Sequence, residues 1–311
     1  MSQPDPAYGS MQDWMQQWSD LESRLSVLLL KPRAQPDFAG QLHAIQREML
    51  DLMRIDADSA LYWLFQLAAS STVGYSTTHS MTCAALSELA AAELRLGDDE
   101  RRSLGLAALS MNLAMTQLQD QLALQATPPS DLQREAVETH AARGAQWLRE
   151  LGVHDTLWLQ TVEQHHDASC TAMPTRVLMA ADRYAALISP RESRPGRCVT
   201  DSGRHVAVQS GGRLDEVGHA FLRSVGICPP GTFVRLGDGR VAVVLRRSDR
   251  PGEPWVASVL DAEGLPVSEP ELIDTGHEGC GIEAALVSAT VRVRLNHPRL
   301  LQLSRMALAQ A

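Results

Sequence analysis

Apolar residues recur every three or four positions through most of the first 225 residues, and polar and apolar positions alternate after that. The segment from about residue 11 to 70 reads as two or three amphipathic helices, broken at KPRAQPD by two prolines and an aspartate. VGYSTTHSMTCAALSELAAAELRLGDDE predicts a long helix, with Ser76 as N-cap and GDD closing it. From Glu100 one further helix carries Leu104, Ala108, Met111, Met115, Leu118 and Leu122 as an inward stripe. TPPSD ends it and caps the next, with Ser130 as N-cap, Glu135 in its early turns and a stripe of Leu132, Ala136, His140, Gly144, Leu148 and Leu151. Helices from about Asp155 to His166 and from about Pro174 to Ser189 follow, and then a mixed helical stretch to about Val225.

Beyond CPPG the period changes. TFVRLGDGRVAVVLRR alternates on both sides of GDG, which predicts a β-hairpin turning at Gly237-Asp238-Gly239. PWVASVLDAEG and VSATVRVRL add strand-like runs. The expected fold is mainly α: a helical bundle with a small C-terminal β-rich extension. The expected division is an N-terminal helical segment over 1–70, a helical domain over 71–225 and a β-rich extension over 226–311.

Three polar residues interrupt the apolar stripes. His140 lies on the stripe just given, His166 continues the line Trp158–Val162, and Asp182 sits one turn from Leu178 in RVLMAADRYAAL. A buried carboxylate needs a partner, because removing its charge from water is costly. Several histidines and an aspartate turned into one helical core favour a metal, since imidazole and carboxylate are good ligands for Zn, Fe and Mn.

Composition narrows the picture. A formal charge of −9 argues against a general nucleic-acid binder, which would show a basic face. The five cysteines are scattered and form no CxxC pair, as in a reduced protein with free thiols. The polar, acidic start MSQPDPAYGS is unlike a signal peptide, and the expected location is the cytoplasm. Neither GDGR nor SGGR fits a phosphate-binding glycine fingerprint.

YSTTHS, THAARG, HH followed by an acid, and VLMAADRYAALISPRESR stand in an order that resembles HD-GYP domains, and CPPGTFVRLGDGRVAVV resembles their C-terminal tail. The resemblance spans roughly residues 62–260, and AADRYAALISPR with the PPGTFVRL tail is its most specific part. It implies an HD-type helical bundle with a small C-terminal β-rich extension, and a metal-dependent phosphodiesterase of the bacterial second messenger cyclic di-GMP. It also marks His79 and Asp182 as ligands of a first metal, His140, His165 and His166 as ligands of a second, and Arg191 and Arg194 as contacts to ligand phosphates.

Two departures weaken the enzymatic implication. Where the family reads approximately AALLHDIGK, this chain has AALSMNLAM, so Met111 and Asn112 stand at the His-Asp dyad and Met115 at the lysine. Asn112 is a poor bridge between two ions, and the thioether of Met111 is badly suited to Mn or Fe(II). In addition, HHD passes through ASCTAM directly to Pro174, read here as the proline opening a helix, which leaves no room for a Gly-Tyr-Pro loop. The histidine set can hold one ion or serve as structural histidines bonded to Asp182 or water. The expected cofactor is at most one weakly held divalent ion: Fe, Mn or Zn.

The function expected first is a catalytically impaired, HD-GYP-like binding or interaction module in cyclic di-GMP signalling. The alternative is a phosphodiesterase with a single-metal or rearranged site, and a purely structural helical protein ranks third. A protein partner or self-association is expected to dominate its contacts, with weak cyclic di-GMP binding at best and no nucleic acid or membrane. No catalytic residue is expected at positions 111 and 112.

Overall fold

A computed structural model describes residues 10–70, 72–207 and 215–308. Three helices come first: α1 (Met11–Leu30), α2 (Phe38–Ile55) and α3 (Ala57–Ser70). Ser10 and Asp13 close a capping box at the start of α1, each side chain accepting from the other's backbone N–H at 3.1 and 2.9 Å. Trp14, Trp18, Leu21, Leu25 and Leu28 then bury one side of α1. The break at KPRAQPD is a 3₁₀ turn opened by Pro32, after which Asp37 caps α2.

Helix α4 (Tyr75–Glu93) is enclosed by its neighbours, and every residue from Tyr75 to Ser87 is buried. Its N-cap is Gly74, not Ser76. Ser76 lies inside the first turn, and its N–H donates to Asp120 Oδ1 at 2.7 Å, so a side chain from a distant helix replaces the local cap. The GDD segment opens the next helix rather than closing α4: Gly97 is the N-cap of α5 (Asp98–Ser110).

The helix predicted from Glu100 through Leu122 is two helices. After α5 the chain passes Met111 and Asn112 into a 3₁₀ turn at Leu113–Met115, then into α6 (Thr116–Leu124). A 3₁₀ turn holds 3.0 residues instead of 3.6, so it rotates the face of everything that follows. Thr116, Gln119 and Ala123 are therefore buried in α6, while Leu118 and Leu122 are only half-buried.

Helix α7 (Asp131–Glu150) starts at Ser130 as predicted, with Gln133 completing the capping box. Its stripe turns inward only from His140 onward, and Leu132 is 78% exposed. Four helices complete this part: α8 (Thr156–Gln164), α9 (Met173–Ile188), α10 (Val199–Ala207) and α11 (Glu216–Val225). Pro174 occupies the first turn of α9, where its missing N–H leaves no bond unmade.

The C-terminal part is an antiparallel sheet of β1 (Phe233–Leu236), β2 (Val241–Arg246), β3 (Trp255–Leu260), β4 (Leu272–Asp274) and β5 (Ile282–Leu286), ordered β4-β3-β2-β1-β5. The predicted hairpin pairs Phe233 with Val243 and Val234 with Ala242, and Gly239 supplies the positive φ of the turn. VSATVRVRL is not a strand. The strand β5 ends just before it, and Ser288–Thr290 form a 3₁₀ turn. A further helix, α12 (His297–Leu308), is absent from the sequence reading, and it packs on β2, β3 and α1.

Strand β2 is buried on both faces. Val241, Val243 and Leu245 join the core of the helical body, while Ala242 and Val244 join a smaller cluster with Cys228, Val234, Leu236, Val256 and Ile273. At the end of β2, Arg246 donates to Asp56 at 2.5 Å, to Asp58 at 3.3 Å and to the Ser304 carbonyl at 3.1 Å. Arg247 holds the other Asp58 oxygen at 2.5 Å. Gly231 lies so close to α3 that a Cβ there would stand 2.7 Å from Phe65 Cβ and 2.9 Å from the Tyr62 carbonyl, and its own φ is +90°. Among the described residues no helix is long and apolar enough to cross a membrane.

Candidate metal centre

Helix α7 and the end of α8 bring three histidines together. On α8, Trp158, Thr161 and Val162 face inward, and the next inward position at helical spacing is His165, which is 1% exposed. The sequence assigned that line to His166. His166 is exposed at the surface, but its ring lies 4.1 Å from that of His165 and 5.0 Å from that of His140, centroid to centroid.

The tautomers of the two buried rings follow from their neighbours. His140 Nδ1 lies 2.5 Å from the Val137 carbonyl and His165 Nδ1 lies 2.6 Å from the Val162 carbonyl. A carbonyl only accepts, so both Nδ1 atoms carry the proton and both Nε2 atoms are bare. Those two lone pairs face each other at 3.2 Å. Only a cation between them turns this contact into a favourable one. Burial pulls His165 down to about 3, with the neighbouring His166 adding to the effect, and burial also lowers His140, so neither ring takes up a proton readily. Two imidazoles bound tetrahedrally at about 2.0–2.1 Å would bring their nitrogens to roughly 3.3 Å apart. The pair fits a metal ion, with backbone carbonyls fixing the ring orientations, and His166 supplies a third nitrogen within 4.8 Å of the others.

A second group forms between α4 and α9. His79 Nε2 meets Asp182 Oδ1 at 2.9 Å, and Cys83 Sγ lies 3.6 Å from the same nitrogen. Burial would raise Asp182, but the His79 hydrogen bond and then the charge of His79 outweigh it and hold the carboxyl well below the usual range. The charge of Asp182 in turn acts on both His140 and His165, so the two groups share one electrostatic environment.

The sequence reading did not single out Cys83 or Tyr75. Tyr75, His79 and Cys83 stand at four-residue intervals on one face of α4, the signal that would have found them. Tyr75 stacks on His79 with ring centroids 5.6 Å apart and planes 11° from parallel. Arg191 donates to the Tyr75 hydroxyl at 3.1 Å and lies over the ring at 5.1 Å. Arg191 and Arg194 exchange backbone hydrogen bonds of 2.9 Å, and Arg194 Nη2 donates to the Ala186 carbonyl at 2.5 Å. Arg191 Nε and Arg194 Nη1 are buried without a partner.

Met111 is completely buried in the main core, at the end of α5. Asn112 is buried beside it and caps the 3₁₀ turn, its carbonyl accepting from Thr116 Oγ1 at 3.2 Å. Between α8 and α9 lie only residues 165–172.

These ionisations set the response to acid. The unfolded chain takes up protons on His140 and His165 as pH falls below their ordinary value of 6.5, whereas the folded chain does not, so stability present above that pH is lost as it falls towards 3. Asp182, held low in the fold, adds to the loss below its ordinary 3.8. Metal-free protein is therefore expected to be about 2–3 kcal/mol less stable at pH 4.5 than at pH 7 through His165 alone. Urea melts at the two pH values check this: His165→Gln should flatten the difference, and an unchanged difference would contradict the assignment.

No family model matches the chain. It is 27% identical over 234 residues to the Cyclic di-GMP phosphodiesterase PA4108 of Pseudomonas aeruginosa, an alignment covering 71% of this chain and 56% of that protein. The chain thus spans just over half the length of that curated relative. Its fold is similar to that of a solved structure, Bd1817, a HDG"Y"P protein from Bdellovibrio bacteriovorus, with a TM-score of 0.54 at 13% identity over 71% of this chain and 73% of that one. The helical body, the C-terminal sheet, the order of the histidine and aspartate segments and these two likenesses agree: the chain is similar to HD-GYP proteins in sequence and in fold.

Proposed function

We propose that this chain is a catalytically impaired member of the cyclic di-GMP signalling family, acting as a binding or interaction module and not as a phosphodiesterase. The observation that carries the proposal is the dyad position. Two-metal hydrolysis needs a carboxylate shared between the ions, so that a hydroxide can be held and the developing charge clamped. Here that place is taken by Asn112, which is neutral and buried, and by Met111, which belongs to the core. One ion of the Fe, Mn or Zn class is expected on His140, His165 and His166, and when bound it would supply Lewis acidity. His79 and Asp182 complete the proposed ligand set. The ligand-bearing residues lie within 71–225, which we propose as the signalling unit, with 1–70 and 226–311 enclosing it.

Arg191 and Arg194 are the proposed phosphate contacts. Their buried, unpartnered N–H groups suit the oxygens of an anion, since guanidinium forks match phosphate geometry. The −9 formal charge opposes anions at long range, so weak cyclic di-GMP binding is expected, with a protein partner as the stronger contact. Titration calorimetry with cyclic di-GMP, on the wild type and on Arg191→Ala/Arg194→Ala, tests this. Weak binding that the double variant abolishes is the expected result. Tight binding unaffected by the double variant would overturn the arginine role, and no binding by either would leave the interaction module without its nucleotide.

The second reading is a phosphodiesterase with a rearranged site. The pairing of two ligand groups in one electrostatic environment favours it.

A further inference from the structure

The sequence reading leaves His79 and Asp182 as the remainder of an ion site whose other ligands are gone. One helical turn beyond His79, on the same face of α4, Cys83 brings its sulfur to 3.6 Å from His79 Nε2. The Cys83 sulfur, the His79 nitrogen and an Asp182 oxygen all lie within 4.8 Å of one another. Cys83 and His79 are buried and Asp182 is largely so. All three atoms are Lewis bases. The His79 Nε2–H can satisfy Asp182 but cannot also accept from the thiol, so the sulfur is left against a nitrogen with no lone pair to offer.

We propose that His79, Cys83 and Asp182 form a thiolate-containing metal site, selective for Zn(II) over Mn(II) and Fe(II), in which Cys83 takes the place of the absent dyad ligands. Thiolate is a soft ligand that favours zinc, whereas a carboxylate- and imidazole-only set is the harder kind that accepts Mn or Fe. Binding forms a sulfur–metal bond and releases the Cys83 proton to solvent, because the thiolate and not the thiol is the ligand. This site shares no residue with the group of His140, His165 and His166. An ion here and one on the three histidines would have no protein ligand in common. The proposal rests on the same assignment of His79 and Asp182 as ligands but is independent of whether a cyclic dinucleotide binds.

Co(II) is the probe, since a cobalt–thiolate bond gives near-ultraviolet charge-transfer absorption that nitrogen and oxygen ligands do not. Metal-free wild type titrated with Co(II) should develop this absorption to one equivalent, and Zn(II) should displace it while Mn(II) does not. His140→Ala/His165→Ala should keep the band, although it loses the other ion. Cys83→Ser and Cys83→Ala should lose it, and Zn(II) affinity should fall by more than the roughly 10–100-fold that follows loss of a partner behind a ligand. Thermal melts of the metal-free variants check that the fold survives. Should both cysteine variants unfold, His79→Gln and Asp182→Asn read the same band. A Co(II)-saturated wild type without charge-transfer absorption overturns the proposal, as does a band that persists in folded Cys83→Ser, which would place the sulfur ligand at another cysteine. Neither outcome touches the nucleotide reading, which stands or falls on calorimetry.

Discussion

Cyclic di-GMP incubated with this chain and Mn(II), Fe(II) or Zn(II) is expected to remain intact beyond the level produced by the metal alone. The two-metal arrangement contributes several kcal/mol of transition-state stabilisation, and each ~1.4 kcal/mol is a factor of ten, so its absence removes about a thousandfold or more in rate. In the proposed reading, Met111 and Asn112 stand where that arrangement needs an imidazole and a bridging carboxylate. Met111→His with Asn112→Asp should raise metal uptake and give little turnover. On the proposed alignment the lysine position is still Met115, and the connection between α8 and α9 is still only residues 165–172. The new histidine would also enter a fully buried core position, where an imidazole without a partner is costly. Product formation by the wild type above the metal background, measured by chromatography, would establish the rearranged phosphodiesterase instead.

The largest expected change in stability comes from Arg246→Ala. Its guanidinium is buried among Asp56, Asp58 and the Ser304 carbonyl, and Asp56 also receives the N–H and hydroxyl of Ser59 at the start of α3. Removing the cation leaves two carboxylates buried with one positive neighbour, Arg247. Breaking a buried pair in this way costs about 3–5 kcal/mol, much more than the ~1 kcal/mol of an exposed pair such as Arg24–Glu48. Urea unfolding of Arg246→Ala and Arg24→Ala compares the two directly. A change below about 1 kcal/mol for Arg246→Ala would mean that water enters the cluster and screens it. Replacing Arg246, Asp56 and Asp58 together by apolar residues should recover much of the loss, because the cost lies in the stranded charges.

Periodicity made the helical body and the hairpin legible, because both consist of amphipathic segments whose buried faces follow from backbone repeat. It failed where a tertiary contact replaced a local rule. Ser76 has the chemistry of an N-cap, but Asp120 does the capping and the helix begins earlier. The stripe from Leu104 to Leu122 is regular on paper, yet nothing in it encodes the 3₁₀ turn at Leu113–Met115 that rotates its second half. Of two adjacent histidines, helical spacing favours His165 from Trp158 and Val162 just as well as it appeared to favour His166, and the position of the helix end decides between them. His140, His166 and Asp182 stood out on the apolar stripes, His79 and His165 came from a family resemblance, and Cys83 stayed hidden because the resemblance has no cysteine to look for. Helix α12 was missed for another reason: its buried residues Leu300, Leu301, Leu303 and Ser304 follow a strand-like run that drew attention to the sheet.

That last helix has a consequence for how the chain folds during synthesis. Tyr62 on α3 bonds His297 Nδ1 at 2.9 Å across 235 residues of sequence, and Asp56 meets Arg246 across 190. The surface of α3 that these contacts cover is complete on the ribosome long before its partners exist. Such non-local contacts form only after a large loop has closed, so they come late and slowly. In the interval, the faces of α1 and α3 that await β2 and α12 are open apolar surface on a half-made chain, the state in which aggregation competes with folding. Acquisition of the native state is thereby tied to the arrival of the β-strands and α12, and a nascent chain halted before residue 246 would present to chaperones and proteases the surface that the finished protein conceals.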